Sequence, residues 1–163
     1  MPMALVLNGT TGITSANIQD GAVAQVDLAA GVAGNGPAFS AYPSAGLSFS
    51  TGTWTKVVYN TKQFDTATAY NTTTGRFTPQ VAGYYIIHAN SVFTTTADNY
   101  SGIYKNGVQT VIAGASTQST IVSTLLYMNG STDYVECYAY LSPSTSIFGG
   151  VDSSFNGVLV RAA

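Results

Sequence analysis

The residues of this sequence that could perform acid–base or nucleophilic chemistry are few and widely spaced. His88 is the only histidine. It lies inside an apolar and aromatic run, and no nucleophile elbow or glycine-rich oxyanion loop accompanies it, as serine hydrolysis would require. A glycosidase needs two carboxylates across a cleft, but the seven acidic residues are scattered: Asp20, Asp27, Asp65, Asp98, Asp133, Glu136 and Asp152. The sequence therefore predicts a protein that binds or scaffolds, not an enzyme.

Metal binding and thiol chemistry rest on four residues. Calcium sites can be built from one or two carboxylates and backbone carbonyls, so Asp98, Asp133 and Asp152 are candidate Ca²⁺ ligands, although none has EF-hand spacing. No other cofactor is expected. Cys137, the single cysteine, shares an alternating face with Val135 and Ala139, which indicates a small buried apolar side chain. No disulfide can form within the chain, which fits synthesis in a reducing cytoplasm.

Composition narrows the range of partners. Only 7% of the 163 residues are charged and the formal net charge is −2, so the chain lacks the basic patches that nucleic acids and anionic membranes attract. We expect neither partner. The opening residues show no positively charged n-region and too short an apolar run for a signal peptide. Because 45% of the residues are hydrophobic, sparse charge favours burial of much of the surface against other subunits.

The chain changes character near residues 34–37. Residues 1–36 contain no aromatic residue and cannot build a core of their own. They are predicted to form an extended N-terminal anchor or an intertwined stalk, whereas residues 37–163 form one domain. The aliphatic side chains that would grip a partner are Ile13, Ile18, Val23, Val26 and Leu28.

From Pro37 onward the apolar pattern alternates with the period of β-strands. Asn106-Gly107 and Asn129-Gly130 have the residue types that tight turns and strand exits need, and no stretch shows sustained helical periodicity. Many short strands in 127 residues (163 minus 36) predict an antiparallel sandwich or barrel. The clearest strands are predicted at residues 54–59, 84–93, 121–128, 134–141 and 155–160.

Several of these strands are apolar on both alternating faces. Tyr84 and Ile86 alternate with Tyr85 and Ile87, whereas a sandwich strand in a monomer needs only one buried face. A neighbouring subunit would cover the second face, and tyrosine tolerates such a semi-wet boundary well. The predicted subunit-interface residues are Tyr84, Ile86, His88, Tyr127, Tyr134, Tyr138 and Tyr140.

An ordered set of motifs after residue 37 resembles the globular head of complement C1q, a family related to the tumour necrosis factor jelly rolls. The motifs are Trp54-Thr55-Lys56-Val57, Phe64-Asp65, Thr74-Gly75-Arg76-Phe77-Thr78-Pro79, Ala82-Gly83-Tyr84-Tyr85-Ile86, Ile103-Tyr104-Lys105-Asn106-Gly107 and Ser154-Phe155-Asn156-Gly157-Val158-Leu159-Val160. The resemblance implies an all-β, ten-stranded antiparallel jelly-roll sandwich that forms a homotrimer. Some relatives bind Ca²⁺ near the trimer apex.

The leader carries a second resemblance, which bears on function. Residues 8–23 resemble N-terminal segments of bacteriophage virion proteins, which implies a virion-surface protein made in a bacterial cytoplasm. It would decorate or cement the capsid, gripping other virion proteins through residues 1–36. The alternatives are a tail or head fibre tip that binds a host glycan or protein and a secreted C1q-type recognition ligand. Contacts at the distal end are predicted in loops around residues 95–100, 116–120 and 143–152, with Asn99, Tyr100, Thr117 and Asp152 as candidates.

Overall fold

The computed structural model describes residues 34–96, 98–116, 118–142 and 146–163. In this part of the chain the regular secondary structure is entirely β, so no helix there is long and apolar enough to span a membrane. The strands are β1 (Ala38–Tyr42), β2 (Leu47–Ser48), β3 (Thr55–Val57), β4 (Thr61–Asp65), β5 (Tyr70–Asn71), β6 (Arg76–Phe77), β7 (Ala82–Val92), β8 (Asp98–Lys105), β9 (Val108–Ala115), β10 (Ser119–Asn129), β11 (Val135–Ser142), β12 (Ser146–Ile147) and β13 (Ser154–Ala162). The predicted all-β class is confirmed. The predicted anchor residues Ile13, Ile18, Val23, Val26 and Leu28 lie outside the described residues.

Two antiparallel sheets form the sandwich. The five-stranded sheet has the order β10-β7-β13-β1-β4, and the six-stranded sheet has the order β5-β6-β11-β8-β9 with β3 paired to β11. A small third sheet pairs β12 with β2. Strands adjacent in space are mostly distant in sequence, as in a jelly roll.

The core between the sheets is built largely from aromatic side chains. Phe39 lies at its centre, with its ring centroid 4.8 Å from that of Tyr70, 4.4 Å from Phe77 and 5.2 Å from Phe155. All four side chains are buried. Because alternate residues of a strand point to opposite faces, these inward residues fix which side chains of the same strands point outward.

Two local predictions, the tight turn at Asn106-Gly107 and the burial of Cys137, are confirmed. Asn106 and Gly107 have φ values of 52° and 78° and join β8 to β9, as a primed hairpin turn requires. Gly83 lies against the backbone carbonyl of Arg161, leaving no room for a Cβ. Cys137 is fully buried between the sheets.

The described residues contain thirteen strands where ten were expected. Four of them, β2, β5, β6 and β12, are only two residues long, and they lie in Ser-, Thr- and Gly-rich segments that lack an alternating apolar pattern. They therefore pair through one or two residues each. The jelly-roll arrangement is unaffected by these short additions.

The two ends of the sandwich differ in the segments that they carry. At one end, which we call the base, the Leu159 N–H donates to the Pro37 carbonyl at 3.0 Å and the Ala163 N–H to the Ala82 carbonyl at 3.0 Å. The described chain thus begins and finishes at the base, beside the Asn106-Gly107 turn. The opposite, distal end carries the loops between β7 and β8, β9 and β10, and β11 and β13.

Candidate binding surfaces

The outer face of the five-stranded sheet is apolar and exposed. In the strand register, Leu125 of β10 lies opposite Ile86 of β7, and Ile86 lies opposite Val158 of β13. One continuous aliphatic row therefore crosses three strands. Tyr84 and Tyr127 extend it toward the base, with ring centroids 5.6 Å apart. This surface, the apolar face, comprises Phe64, Tyr84, Ile86, Ile121, Leu125, Tyr127, Val158 and Val160, all exposed in the single subunit.

A hollow of about 350 Å³ opens beside the aliphatic row. Small residues of β1, Ala38 and Ser40, form its floor, and Phe64, Ile86 and Val158 are among its walls. The hollow is mainly apolar and opens toward solvent. It can receive a bulky side chain from outside the subunit.

His88 also lines this hollow, and its surroundings do not form a catalytic site. Ser123 is its cross-strand neighbour on β10, but the Ser123 hydroxyl donates to the Ile87 carbonyl at 3.3 Å. Among the described residues no carboxylate bonds to His88. The side chain is therefore a polar group beside the apolar face.

The seven predicted interface residues do not form one surface. Tyr84, Ile86, His88 and Tyr127 lie together on the five-stranded sheet, whereas Tyr138 and Tyr140 are on the outer face of β11 in the six-stranded sheet. Tyr134 precedes β11 near the base, where the Arg76 guanidinium lies 4.0 Å from its ring centroid. The last three therefore cannot extend the apolar face.

The six-stranded sheet carries charged and aromatic residues on its outer face. Glu136 is almost completely buried there. It accepts hydrogen bonds from Lys56 Nζ at 3.1 Å and Arg76 Nε at 2.8 Å. The hydrogen bond to Glu136 raises the pKa of the Arg76 guanidinium. The centre of this face thus holds one carboxylate shared by two cations, in contrast to the apolar face.

The three predicted distal loops meet at the distal end. The Phe93 N–H donates to the Gln118 carbonyl at 2.6 Å, and the Thr94 N–H donates to the Ser146 carbonyl at 2.8 Å. Asp98 accepts a hydrogen bond from the Ser116 hydroxyl at 3.1 Å. The backbone bonds give the loops a shared framework opposite the base.

The three loops meet at the distal end, but the individual contact residues predicted within them do not all lie in exposed loops. Asn99 was predicted in a loop, but β8 begins at Asp98 and Asn99 is fully buried, with its Nδ2 donating to the Thr95 carbonyl at 3.1 Å. That prediction is wrong. Tyr100 is also a strand residue, half-buried on the outer face of the six-stranded sheet. Asp152 is exposed in the distal turn before β13, whereas Thr117 lies outside the described residues.

The candidate calcium ligands do not fit one site within a subunit. Asp133 lies at the base, 2.8 Å from Lys105 Nζ, whereas Asp98 and Asp152 lie at the distal end. Burial alone would raise the pKa of Asp133, but hydrogen bonds from Lys105, Asn106 and the Asn129 N–H outweigh it and hold that pKa below its usual value. In the part of the chain described, no three His, Cys, Asp or Glu side chains gather as metal ligands would.

The predicted interface residues omit Ile121, Leu125, Val158 and Val160 of the apolar face. The apolar alternation within their strands is the sequence signal that indicates them. No sequence signal indicates Trp54 as a surface site, because its aromatic neighbours come from strands that are distant in the chain.

Comparisons with known proteins agree with this architecture. The sequence profile of the C1q domain matches residues 38–160. The globular domain of zebrafish complement 1qA has a similar structure, with a TM-score of 0.56 and 21% identity over 78% of this chain and 99% of that one. Murine APRIL at pH 8.0 has a TM-score of 0.62 and 9% identity over 76% of this chain and 98% of that one. A search of curated proteins finds no match. The matching profile, together with the jelly-roll topology, places this chain in the C1q domain family.

Proposed function

We propose that this protein is a non-enzymatic trimeric binding module whose subunits pack through the apolar face around a threefold axis. The observation that carries the proposal is the exposed row formed by Leu125, Ile86 and Val158. Soluble monomers rarely expose large contiguous apolar patches, and such a patch marks an interaction site. The adjoining hollow of about 350 Å³ offers a recess for a bulky side chain of the neighbouring copy. The threefold symmetry of the proposed assembly is inferred from the resemblance to the C1q family.

A second copy suits the apolar face better than a catalytic or ionic partner would. Its central positions are aliphatic or tyrosine, the residues that homo-oligomer interfaces bury. Glu136 and its cations, by contrast, lie on the other sheet. Chemical cross-linking of the full-length protein at low micromolar concentration tests the proposal, because a trimer gives a dominant three-chain product and a monomer gives none.

We further propose that the trimer is a knob on a bacteriophage virion, where it decorates or cements the capsid. Residues 1–36 would hold other virion proteins, as their resemblance to phage N-terminal segments suggests. The position of the base supports this arrangement, since Pro37 accepts a hydrogen bond there from Leu159, opposite the distal loops. The substitutions Ile18→Asp and Val23→Asp should then abolish incorporation into particles while the trimer persists. Normal incorporation of both variants would refute an anchoring role for the leader.

One observation favours a receptor-binding fibre tip as the second candidate. The three distal loops are joined to each other at the end opposite the base, where a receptor would be met. Counting copies per particle separates the two roles. A number set by capsid symmetry supports decoration, whereas a few copies at the tail support a fibre tip.

A further inference from the structure

The outer face of the six-stranded sheet carries a group of aromatic side chains that the trimer proposal does not use. The Trp54 ring centroid lies 6.4 Å from that of Tyr100, 6.0 Å from Tyr104 and 5.7 Å from Tyr140. The Tyr138 ring packs against that of Tyr104 at an interplanar angle of 32°, with 4.1 Å between centroids. We call these five residues the aromatic platform, and each of them is half-buried.

Two glycines in neighbouring strands give the platform its shape. A Cβ at Gly102 of β8 would come within 3.3 Å of the Trp54 ring and 3.1 Å of Tyr104, and a Cβ at Gly114 of β9 would collide with the Tyr100 ring. The rings thus rest directly on the strand backbone. Between them remains a shallow depression of about 290 Å³ lined by Trp54, Tyr100, Ile112 and Tyr140, close to the lower limit of ligand pockets, roughly 300 Å³.

Some polar groups around the depression are hydrogen-bonded to other described residues, and some are not. Outside it, the Tyr104 hydroxyl donates to Gln109 at 3.1 Å and the Tyr138 hydroxyl donates to Glu136 at 3.4 Å. By contrast, Trp54 Nε1 and the hydroxyls of Tyr100 and Tyr140 have no hydrogen-bond partner among the described residues. The residues that line the depression therefore bring ring surfaces together with one N–H donor and two hydroxyls that no described residue engages.

Charge further restricts the ligand. The cations nearest in the sheet, Lys56 and Arg76, are both bound to Glu136, and the four residues that line the depression are uncharged. Neither cation lines the depression, so a phosphate or carboxylate there would meet no cation in the lining. A purely apolar ligand would leave unpaired whichever of these polar groups it covered, which is costly.

We propose that the aromatic platform is a binding site for a neutral saccharide. A pyranose ring has one face of C–H groups, which interact favourably with the electron-rich face of an aromatic ring. Its hydroxyls both donate and accept, so they can pair with Trp54 Nε1 and with the hydroxyls of Tyr100 and Tyr140. The site requires one subunit only, and it therefore does not depend on the trimer.

Trp54 is the only tryptophan in the chain, so intrinsic fluorescence of the full-length protein reports on the platform directly. We expect at least one of maltotriose, cellotriose and chitotriose to cause a saturable change in Trp54 emission. Trp54→Ala should weaken the calorimetrically measured affinity by at least about tenfold, the effect of losing one ring-stacking contact. Val108→Ala, an exposed change on β9 outside the depression, is the matched control and should leave the affinity unchanged.

Two further variants keep the test valid if Trp54→Ala disturbs the fold. Tyr140→Phe removes one hydroxyl and keeps the ring, and it should reduce affinity several-fold. Ile112→Lys places a long charged side chain at the exposed wall of the depression, and it should abolish binding without unfolding the protein. The proposal is overturned if none of the three sugars changes Trp54 emission and a broad glycan array is also blank. It is also overturned if Trp54→Ala and Ile112→Lys leave the affinity unchanged. It is equally overturned if Trp54 emission in the absence of sugar depends on protein concentration.

Discussion

Replacing Ile86 by aspartate places a carboxylate at the centre of the apolar face. Complete burial of an isoleucine side chain stabilises by about 1.5–3 kcal/mol. Ile86 is already partly covered and remains 43% exposed in the subunit, so covering the remainder contributes about 1 kcal/mol per copy and about 3 kcal/mol per trimer. An unpaired carboxylate covered by a neighbour costs several kcal/mol more per copy. The total destabilisation, about 10 kcal/mol or more per trimer, is large enough to dissociate a trimer at micromolar concentration.

The isolated subunit should tolerate the same change. The side chain at position 86 faces solvent there, and strand preferences differ by only about 1 kcal/mol between residue types. We therefore expect Ile86→Asp to sediment as a folded monomer with a β-type circular dichroism spectrum. Its melting temperature should fall because association no longer stabilises the fold.

Val108→Asp provides the matched control. Val108 is 69% exposed and lies in β9 of the other sheet, so the same chemical change should leave the trimer intact. Analytical ultracentrifugation of both variants at equal concentration makes the comparison. A trimeric Ile86→Asp protein would refute the assignment of the apolar face as the subunit interface, and dissociation of both variants would refute its specificity.

Three other predictions concern the fold. Burial raises the pKa of the Cys137 thiol to about 12, so a thiol reagent should label the protein only after unfolding, and rapid labelling under native conditions would contradict the buried position. Gly83→Ala forces a Cβ against the Arg161 carbonyl and should destabilise by about 1–3 kcal/mol in urea melts; an unchanged midpoint would refute the close approach. Because the pKa of Asp133 is lowered, its stabilising effect is present above about pH 4 and is lost as pH falls through that lowered pKa. Wild type should therefore exceed Asp133→Asn in stability at pH about 7, and an advantage that does not shrink as the pH is lowered into the acid range would be inconsistent with this.

The sequence predicted the strands well where apolar residues alternate over a long run. In β7, Tyr85 and Ile87 point inward and Tyr84 and Ile86 outward, as their alternation indicated. The positive-φ turn at Asn106-Gly107 followed from residue type alone. These features depend on neighbours in the chain and are therefore visible in the sequence.

The arrangement of surfaces depends on strand order, which alternation does not encode. Tyr84 and Tyr138 have the same character in the sequence, yet β7 pairs with β10 and β13 whereas β11 pairs with β3, β6 and β8. The two tyrosines therefore belong to opposite faces of the sandwich. The aromatic platform is not predictable from the sequence for the same reason, since it is assembled from residues before β3 and within β8 and β11.

Polar residues at the ends of strands are also hard to assign from the sequence. Asn99 lies in a Ser-, Thr- and Asn-rich stretch that looks like a loop, but its side chain is buried and bonds to the Thr95 carbonyl. A buried amide is tolerated when it is hydrogen-bonded. Composition alone cannot distinguish such a residue from a solvated one.

The mass of the full-length protein in solution tests the central claim most directly. The chain mass is 16.9 kDa, and native mass spectrometry or light scattering at low micromolar concentration should give three times that value. A particle of a single chain mass under these conditions would contradict the claim that the exposed aliphatic row of β10, β7 and β13 is covered by copies of the same protein.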